Sequence, residues 1–158
     1  MRYSFAMTSI RFRKAEPRDL PAIVALLADD PLGAQREIRG ETPDAAYEAA
    51  FAAIDADPNQ WLAVAVDGEE IVGTLQLTFI PGLSRGGAWR GQIEAVRVAS
   101  GRRGEGLGHR MFAWAIAECR ARGCRLVQLT TDKGRPDAHR FYEDLDFVAT
   151  HVGYKLSL

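Results

Sequence analysis

The feature that most constrains the fold is a glycine-rich turn, RRGEGLGHR, at residues 102–110. An apolar run typical of a strand, 93–99, precedes it, and the spacing of apolar residues over 107–122 predicts a helix. Glycine adopts positive φ and lets a ligand approach the backbone, and the first turn of a helix has unpaired N–H groups that bind anions. The sequence therefore predicts a strand–turn–helix unit. Its turn is either a cradle for an anion such as pyrophosphate or a surface turn that binds nothing.

The three alternate glycines do not fit two common phosphate-binding motifs. A Walker A loop requires lysine and a hydroxyl residue after its last glycine, and neither follows Gly108. The dinucleotide motif GxGxxG fails at its third glycine. That place falls on His109 when the motif starts at Gly104, and on Met111 when it starts at Gly106. An anion site here would be of another kind, with the flanking arginines adding positive charge.

Hydrophobic periodicity places this turn within a mixed α/β domain. Asp19 and Pro21 predict the start of a first helix, capped by the aspartate, and Thr42-Pro43-Asp44 predicts the start of a second. The predicted element order is β-α-α-β-β-β-α-β-α-β, with loops over 29–40 and 81–87. Strands are predicted over 10–14, 60–66, 71–80, 89–98 and 125–130, a last helix begins at Pro136, and a closing strand or pair of strands covers 147–156.

Length and composition favour one ordinary globular domain. We expect a single domain over 1–158, with residues 1–8 as a disordered extension. The chain has 47% hydrophobic residues and a formal net charge of −1, which does not indicate a nucleic-acid-binding protein. No apolar run approaches the roughly 18 residues of a membrane span, and the first residues lack a signal-peptide pattern. We therefore expect a cytoplasmic protein.

Cysteine and histidine positions indicate neither a disulfide framework nor a metal site. Cys119 and Cys124 do not form a CxxC motif, and free cysteines usually behave as small apolar side chains in or near a core. His109, His139 and His151 do not match metal-ligand spacings. We therefore expect no metal cofactor and no catalytic thiol.

Two segments together resemble the GCN5-related N-acetyltransferase (GNAT) family. Arg103-x-x-Gly106-x-Gly108 fits the family signature R/Q-x-x-G-x-G/A, and AHRFYEDLDF, 138–147, is similar to the family's A-x-x-x-Y-x-x-x-G-F segment. The strand before the first segment and the helix after it stand where that family has them. The resemblance implies a mixed, mostly antiparallel twisted sheet with flanking helices. It also implies an acyltransferase that uses acetyl-CoA.

In that family, acetyl-CoA lies where two parallel strands splay apart, and the resemblance assigns these strands to 93–98 and 125–130. The first strand carries a bulge, and its backbone pairs with the pantetheine arm. The N–H groups of the glycine turn hold the pyrophosphate, and the helix after Pro136 lines the opposite wall. The residues implied in cofactor binding are Val96, Val98, Arg103, Gly104, Glu105, Gly106, Leu107, Gly108, His109 and His139.

Acetyl transfer to an amine needs two proton transfers. A lysine-like amine, with a pKa of about 10.4, must lose a proton, and the leaving thiolate must gain one. Tyr142 matches the family's tyrosine and is the candidate general acid; the alternative is a core aromatic. Glu94 is the candidate base, and the alternatives are a solvent-facing carboxylate or ordered water as base. Strand alternation puts Glu94 beside Val96 and Val98 unless the bulge intervenes, and it puts Arg97 on the other face in a structural role.

Two positions depart from the family's pattern. Arg135 stands where many members have asparagine, three residues before the second segment. Asp146 replaces the glycine of the family's L-G-F sequence, at a helix end where aspartate is tolerated only moderately. Neither change removes the glycine turn or Tyr142.

The resulting hypothesis is an N-acetyltransferase that moves the acetyl group of acetyl-CoA to a primary amine of a small molecule, directly in a ternary complex. Two alternatives stay open: a peptide or protein N-acetyltransferase, and a module that binds acyl-CoA without catalysis. Family members often dimerise through the late strands, so a homodimer is open as well. We expect neither nucleic acid nor membrane as a partner.

Overall fold

The computed structural model describes residues 10–38, 40 and 44–158. The predicted extension over 1–8 and the Thr42-Pro43 helix start lie outside the described residues. Five strands are present in the described part of the chain, and each matches a predicted strand to within two residues at either end. They are β1 (Arg11–Lys14), β2 (Gln60–Asp67), β3 (Glu70–Ile80), β4 (Trp89–Val98) and β5 (Cys124–Gln128).

These strands form one open sheet in the order β1-β2-β3-β4-β5. The pairings of β1 with β2, β2 with β3 and β3 with β4 are antiparallel, and β5 pairs parallel to β4. The parallel pair requires a crossover connection, which the long helix after the glycine turn supplies. The predicted fold class, a mostly antiparallel sheet with flanking helices, is confirmed.

The helices follow the predicted order, with two extra single turns inside the predicted loops. None of the described helices is both long and apolar enough to cross a bilayer.

Asp19 does not cap the first helix as predicted, because its carboxylate is bound to Arg13 and to the N–H of Glu16 instead. The helices are α1 (Leu20–Ala28), α2 (Gly33–Arg36), α3 (Ala45–Ala56), α4 (Ser84–Gly87), α5 (Leu107–Ala121) and α6 (Pro136–Asp144).

The sheet separates two apolar clusters, as the alternation of β2 requires. Ala63 and Ala65 face the larger cluster, which α5 covers with Met111 and Phe112. The residues that alternate with these alanines face the smaller cluster, which α1 and α3 cover. Because α5 packs so closely on the sheet, a Cβ at Gly91 of β4 would overlap the Cys119 thiol.

The predicted closing strand over 147–156 is wrong. After α6, Phe147 still packs against the larger cluster, but residues 148–158 are all exposed and form no strand. The alternation that predicted a strand is present in the sequence. A strand also needs a neighbour, however, and no described strand pairs with these residues.

Candidate active site

The glycine turn connects β4 to α5 through a single 3-10 turn, Ser100–Arg102. Gly104 and Gly106 have φ angles of 81° and 77°, in the left-handed region that favours glycine. Gly106 is the N-cap residue of α5. A Cβ on either glycine would meet no atom within 4 Å. The glycines therefore allow the left-handed backbone conformation, and the space beside them is open.

Backbone N–H groups along this turn have no partner in the part of the chain that the structure describes. No hydrogen bond uses the N–H groups of residues 104–109, and the first bond into α5 runs from Arg110 to the carbonyl of Gly106 at 3.2 Å. Since α5 has 15 residues, its dipole adds a positive field at the same end. Free donors at a helix N-terminus suit a phosphate, so the residues present fit the pyrophosphate of a CoA thioester.

The two arginines before the turn have different surroundings. Arg102 donates to Glu105 at 2.8 Å and to Asp67 at 2.7 Å, and these hydrogen bonds raise its pKa. This ties the turn to the β2–β3 hairpin. Arg103 donates to the carbonyl of Asp29 at 3.1 Å and is mostly exposed. Arg102 therefore fixes the turn, whereas Arg103 remains accessible to an anion.

The expected separation of β4 and β5 is present. Their ladder runs from Trp89 and Cys124 to Gln92 and Gln128, where Gln128 Nε2 donates to Gln92 Oε1 at 2.6 Å. Beyond this pair β4 continues to Val98, and no described strand occupies its edge on the β5 side. An unpaired strand edge in such an opening can accept an extended ligand as an added strand.

A bulge bends β4 next to this opening. Ala95 has a φ of 51°, and the pairing of β4 with β3 shifts register between Thr74 and Gln76. A left-handed residue other than glycine costs about 1–3 kcal/mol and persists where the surrounding structure fixes it, often at functional sites. The bulge therefore re-aims the side chains that precede and follow it.

The bulge puts Glu94 and Arg97 on one face of the sheet, toward α1 and α3. Glu94 pairs with Gln76, which lines a cavity under those helices, and Arg97 pairs with a neighbour on the same face. Val96 and Val98 pack against the larger cluster on the opposite face. The bulge therefore intervenes in the alternation, as the sequence analysis allowed, so Glu94 does not share a side with the two valines, whereas Arg97 does face away from them.

An ionic cluster that sequence reasoning missed lies on that face. The buried Asp30 accepts the N–H of Gly33, and its Oδ2 is 3.1 Å from Arg97 Nε and 3.7 Å from an Arg135 nitrogen. Burial raises the pKa of this carboxyl, but the Gly33 N–H and the guanidinium groups of Arg97, Arg135 and Arg36 outweigh it and lower the pKa overall. Asp30 is therefore ionised. Its single negative charge is shared by more than one guanidinium group.

Tyr142 lies within electrostatic reach of this cluster. Its ring packs against Phe112 and Phe147, with centroids 5.7 and 6.3 Å away. Among the described residues, nothing hydrogen-bonds to its hydroxyl. Burial raises the pKa of the phenol, while Arg135 and Arg97 act in the opposite direction. The net effect keeps the phenol protonated at neutral pH, with its donor available.

The end of α6 fixes the position of Tyr142. Phe147 donates its N–H to the carbonyl of Tyr142, and Asp146 donates to Glu143, both at 3.0 Å. This is the pair of bonds of a Schellman motif, which requires a left-handed residue where Asp146 stands. Asp146 has a φ of 65°, so it adopts the conformation for which the family has glycine.

His139, predicted to face the cofactor, and His109, predicted to bind it through its backbone N–H, lie on α6 and α5. His139 Nε2 is 2.9 Å from the carbonyl oxygen of Asp132, in the segment before α6. The His109 ring lies edge-on to Phe141 at 4.9 Å, and a Cβ at Gly108 would come within 3.3 Å of the same phenyl ring. Their contacts with a cofactor stay predictions.

Both cysteines occupy the surroundings expected of core residues. Cys119 is fully buried, and burial raises the pKa of its thiol to about 12. Burial also raises the pKa of the half-buried Cys124. A thiolate nucleophile is therefore disfavoured at both positions at neutral pH.

A small apolar cavity of about 160 Å³ opens beside the bulge, between α1, α3 and the sheet. Tyr47 of α3 forms part of its wall. The Tyr47 hydroxyl donates to Glu37 at 2.6 Å and accepts the N–H of Ile38 at 2.9 Å, which ties α3 to the segment after α2. The lining includes Leu20, Ile23, Tyr47, Phe51, Gln76 and Ala95.

Comparison with known proteins places this geometry in a family. The sequence model of the acetyltransferase (GNAT) family matches residues 20–147. An aminoalkylphosphonate N-acetyltransferase of Salmonella typhimurium is 30% identical over 152 residues, covering 96% of this chain and 94% of that protein.

Solved structures give the same answer for the fold. A protein of Bacillus halodurans C-125 described as a transcriptional regulator is 49% identical and superposes with a TM-score of 0.92, covering 94% of this chain and 99% of that one. Glucosamine-6-phosphate N-acetyltransferase of Arabidopsis thaliana shares the fold at 22% identity, with a TM-score of 0.76 over 94% of this chain and 98% of that one. Since the family match spans most of the sequence and both signature segments, this chain belongs to the GNAT family of acetyltransferases and is an acyltransferase.

Proposed function

We propose that this protein transfers the acetyl group of acetyl-CoA to a primary amine of a small molecule, directly within a ternary complex. The observation that carries the proposal is that three groups suited to a CoA thioester have no partner among the described residues. These are the free N–H groups of residues 104–109, the unpaired edge of β4 after Gln92, and the Tyr142 hydroxyl. Together they supply an anion cradle, a strand edge for an amide-bearing arm and a proton donor.

The proposed chemistry needs two proton transfers, one to the leaving sulfur and one from the attacking amine. Tyr142 donates its proton to the leaving sulfur, because its raised pKa keeps it neutral. A primary amine with a pKa of about 10.4 is neutral in about one molecule in 2,500 at pH 7, so a base must take its proton. Glu94 or an ordered water takes that role. The Val96 N–H is the proposed donor to the acetyl oxygen.

The acceptor is proposed to carry an acidic group besides its amine. Arg97 and Arg135 lie 3.1 and 3.7 Å from the one carboxylate of Asp30, so two guanidinium groups share a single negative charge at this position. Guanidinium groups bind carboxylates and phosphonates through charge-assisted hydrogen bonds. The relative from Salmonella, whose name specifies aminoalkylphosphonates, supports the same class of acceptor.

The first experiment is calorimetric titration with acetyl-CoA and with CoA, followed by thiol release in the presence of amines. Three amines of equal chain length separate the alternatives: an aminoalkylphosphonate, the corresponding amino acid and an uncharged alkylamine. We expect micromolar cofactor binding and the highest kcat/KM with the acidic amines. No cofactor binding by the folded protein would overturn the proposal. Equal rates with all three amines would overturn the acidic acceptor alone.

Arg97→Gln tests the acceptor class. We expect KM for an acidic amine to rise about tenfold or more, because a hydrogen bond to a charged group contributes about 1.5–3 kcal/mol. The KM for the uncharged amine should stay within about twofold. Arg120→Gln, at an exposed position near the far end of α5, is the matched control and should change neither value. A uniform change with every amine would mean that Arg97 is structural.

A further inference from the structure

The apolar cavity beside the bulge has a volume of about 160 Å³, and neither of the proposed proton-transfer residues lies in its lining. Its walls come from α1, α3 and the sheet, with Ile23 and Phe51 among them. An apolar cavity of about 150 Å³ can hold one molecule of benzene. The cavity therefore has room for an aliphatic or aromatic group of about six non-hydrogen atoms.

The polar residues in the lining use their side chains in other contacts. The Thr74 hydroxyl donates to the carbonyl of Ala63 at 2.9 Å, and Gln76 Nε2 donates to Gln60 Oε1 at 2.9 Å. The Tyr47 hydroxyl is bound to the segment after α2. Burying a polar group without a hydrogen bond is unfavourable, so a cavity whose polar residues are already engaged selects an apolar group.

Two residues of opposite charge on β4 lie next to this cavity. Glu94 pairs with Gln76 and Arg97 pairs with Thr74, and both of these partners line the cavity. Ala95, which follows Glu94 in the bulge, lines it directly. Cross-strand partners have Cβ atoms about 4.5–5.5 Å apart, and residues two positions apart on a strand are about 7 Å apart. One small molecule can therefore reach the carboxylate, the guanidinium group and the cavity together.

Arg97 retains hydrogen-bonding capacity for such a molecule. Among the described residues, its one hydrogen bond runs from Nη1 to the carbonyl of Val96, at 2.9 Å. Its Nε lies 3.1 Å from Asp30 Oδ2, but the two atoms are not aligned as a hydrogen bond. A guanidinium group has five N–H donors, so Arg97 has donors left for the acidic group of an acceptor.

We propose that the acceptor is an α-amino acid, or its phosphonate analogue, with an apolar side chain that lies in this cavity. In such a molecule the amine, the acid and the side chain are bonded to the same carbon atom. The amine faces Glu94, the acid binds Arg97 and the side chain enters the cavity. Attachment at three points also selects one enantiomer. This inference rests on the proposed function, to which it adds the side chain of the acceptor.

The first test measures thiol release from acetyl-CoA with glycine, alanine and leucine, and with the three corresponding phosphonates. We expect kcat/KM to rise about fourfold for each methylene that the cavity buries. One enantiomer of leucine, or of its phosphonate, should react at least about tenfold faster than the other. Calorimetric titration of the CoA-bound protein with the same compounds should give the same order of affinities, and the better series identifies the acid.

Two outcomes separate this inference from the proposed function. If acidic amines release thiol with the same kcat/KM whatever their side chain, or if both enantiomers react equally, the apolar side chain is overturned and the proposed function stands. If no amine releases thiol, both are overturned.

Ala50→Phe and Ala49→Phe form a matched pair of variants on α3. Both alanines are exposed, but of the two only Ala50 lines the cavity. We expect Ala50→Phe to fill the cavity and to lower kcat/KM for the leucine-type acceptor at least about tenfold, with the glycine-type acceptor changed less than about twofold. Ala49→Phe should change neither value. Unchanged selectivity in an Ala50→Phe variant that is folded by circular dichroism would overturn the inference. If that variant does not fold, the comparison of enantiomers with the unmodified protein decides.

Discussion

At the scale of single residues, the proposed proton donor is the most direct target. Tyr142→Phe removes one oxygen and keeps the ring that packs against Phe112 and Phe147. We expect kcat to fall by about 10²-fold or more, the usual contribution of a general acid, with acetyl-CoA affinity nearly unchanged. Steady-state kinetics and calorimetry on the same sample measure both. Tyr154→Phe, which removes an exposed phenol, is the control.

The pH dependence follows from the direction of the pKa shift. Burial raises the pKa of Tyr142 above its ordinary value of 10.0, so its donating form persists through neutral pH. In the unmodified enzyme, a loss of kcat through ionisation of this phenol is expected only above about pH 10. A fully active Tyr142→Phe enzyme, or an unchanged alkaline limb in that variant, would remove the residue from the mechanism.

Some residues of the candidate site can be recognised from short sequence motifs. Others come together only in the folded chain. Tyr142 and the glycines belong to segments with recognisable spacing, and their roles in catalysis and cofactor binding stay predictions. Asp30 and Arg97 are far apart in sequence, and their ion pair depends on the bulge at Ala95. Alternation alone does not say where in the strand the bulge lies, which is why the sequence left the side of Glu94 open and did not reveal the partner of Arg97.

At the scale of elements, the N-terminus of α5 carries the proposed anion cradle. Gly106→Asp introduces a negative charge where the N–H groups of 104–109 are free. Gly106→Asn has the same shape and the same left-handed strain, at a φ of 77°, without the charge. We expect the Asp variant to bind acetyl-CoA at least about tenfold more weakly than the Asn variant, by calorimetry at low salt. Equal affinity in the two folded variants would refute the cradle.

The C-terminus of α6 makes a stability prediction. Asp146 holds a left-handed conformation that glycine adopts without strain. We expect Asp146→Gly to raise the free energy of unfolding by about 1 kcal/mol. Asp144→Gly, at the last helical residue, should instead lower it by about 0.5–1 kcal/mol. Urea unfolding followed by circular dichroism distinguishes the two; stabilisation by both would contradict the argument.

Elements were predicted well where local pattern decides them and poorly where a distant partner does. The strands of the sheet match because alternation and turn residues set their ends. Residues 148–158 have an equally clear alternation, yet they form no strand, because alternation does not supply a pairing partner and no described strand pairs with them. Single turns such as α2 depend on one side chain, here Asp30 bound to the N–H of Gly33.

At the scale of the whole molecule, acid stability depends on how the edge strand β1 is joined to α1. Arg13 of β1 donates to both oxygens of Asp19, at 2.6 and 3.0 Å, and the N–H of Glu16 donates to the same carboxylate at 2.7 Å. Asp19 is 4% exposed. The hydrogen bond from Arg13 lowers the pKa of Asp19 below 3.8, and it outweighs the opposing effect of burial.

Because the native pKa of Asp19 is lowered, its carboxylate stabilises the fold at pH values above 3.8, the pKa in the unfolded chain. That stabilisation is lost as the pH falls through the native pKa. Asp19→Asn should therefore lower the free energy of unfolding by about 1–3 kcal/mol at pH 7. The difference from the unmodified protein should hold down to about pH 5 and shrink below about pH 4, because the unfolded chain then takes up a proton at Asp19 that the native carboxylate takes up only at lower pH. Urea unfolding at a series of pH values measures this difference.

Glu69→Gln, at an exposed position in the β2–β3 turn, is the control and should show no such dependence. If the difference in the free energy of unfolding stays constant to the lowest pH at which the protein folds, then packing and not the charge of Asp19 joins β1 to α1.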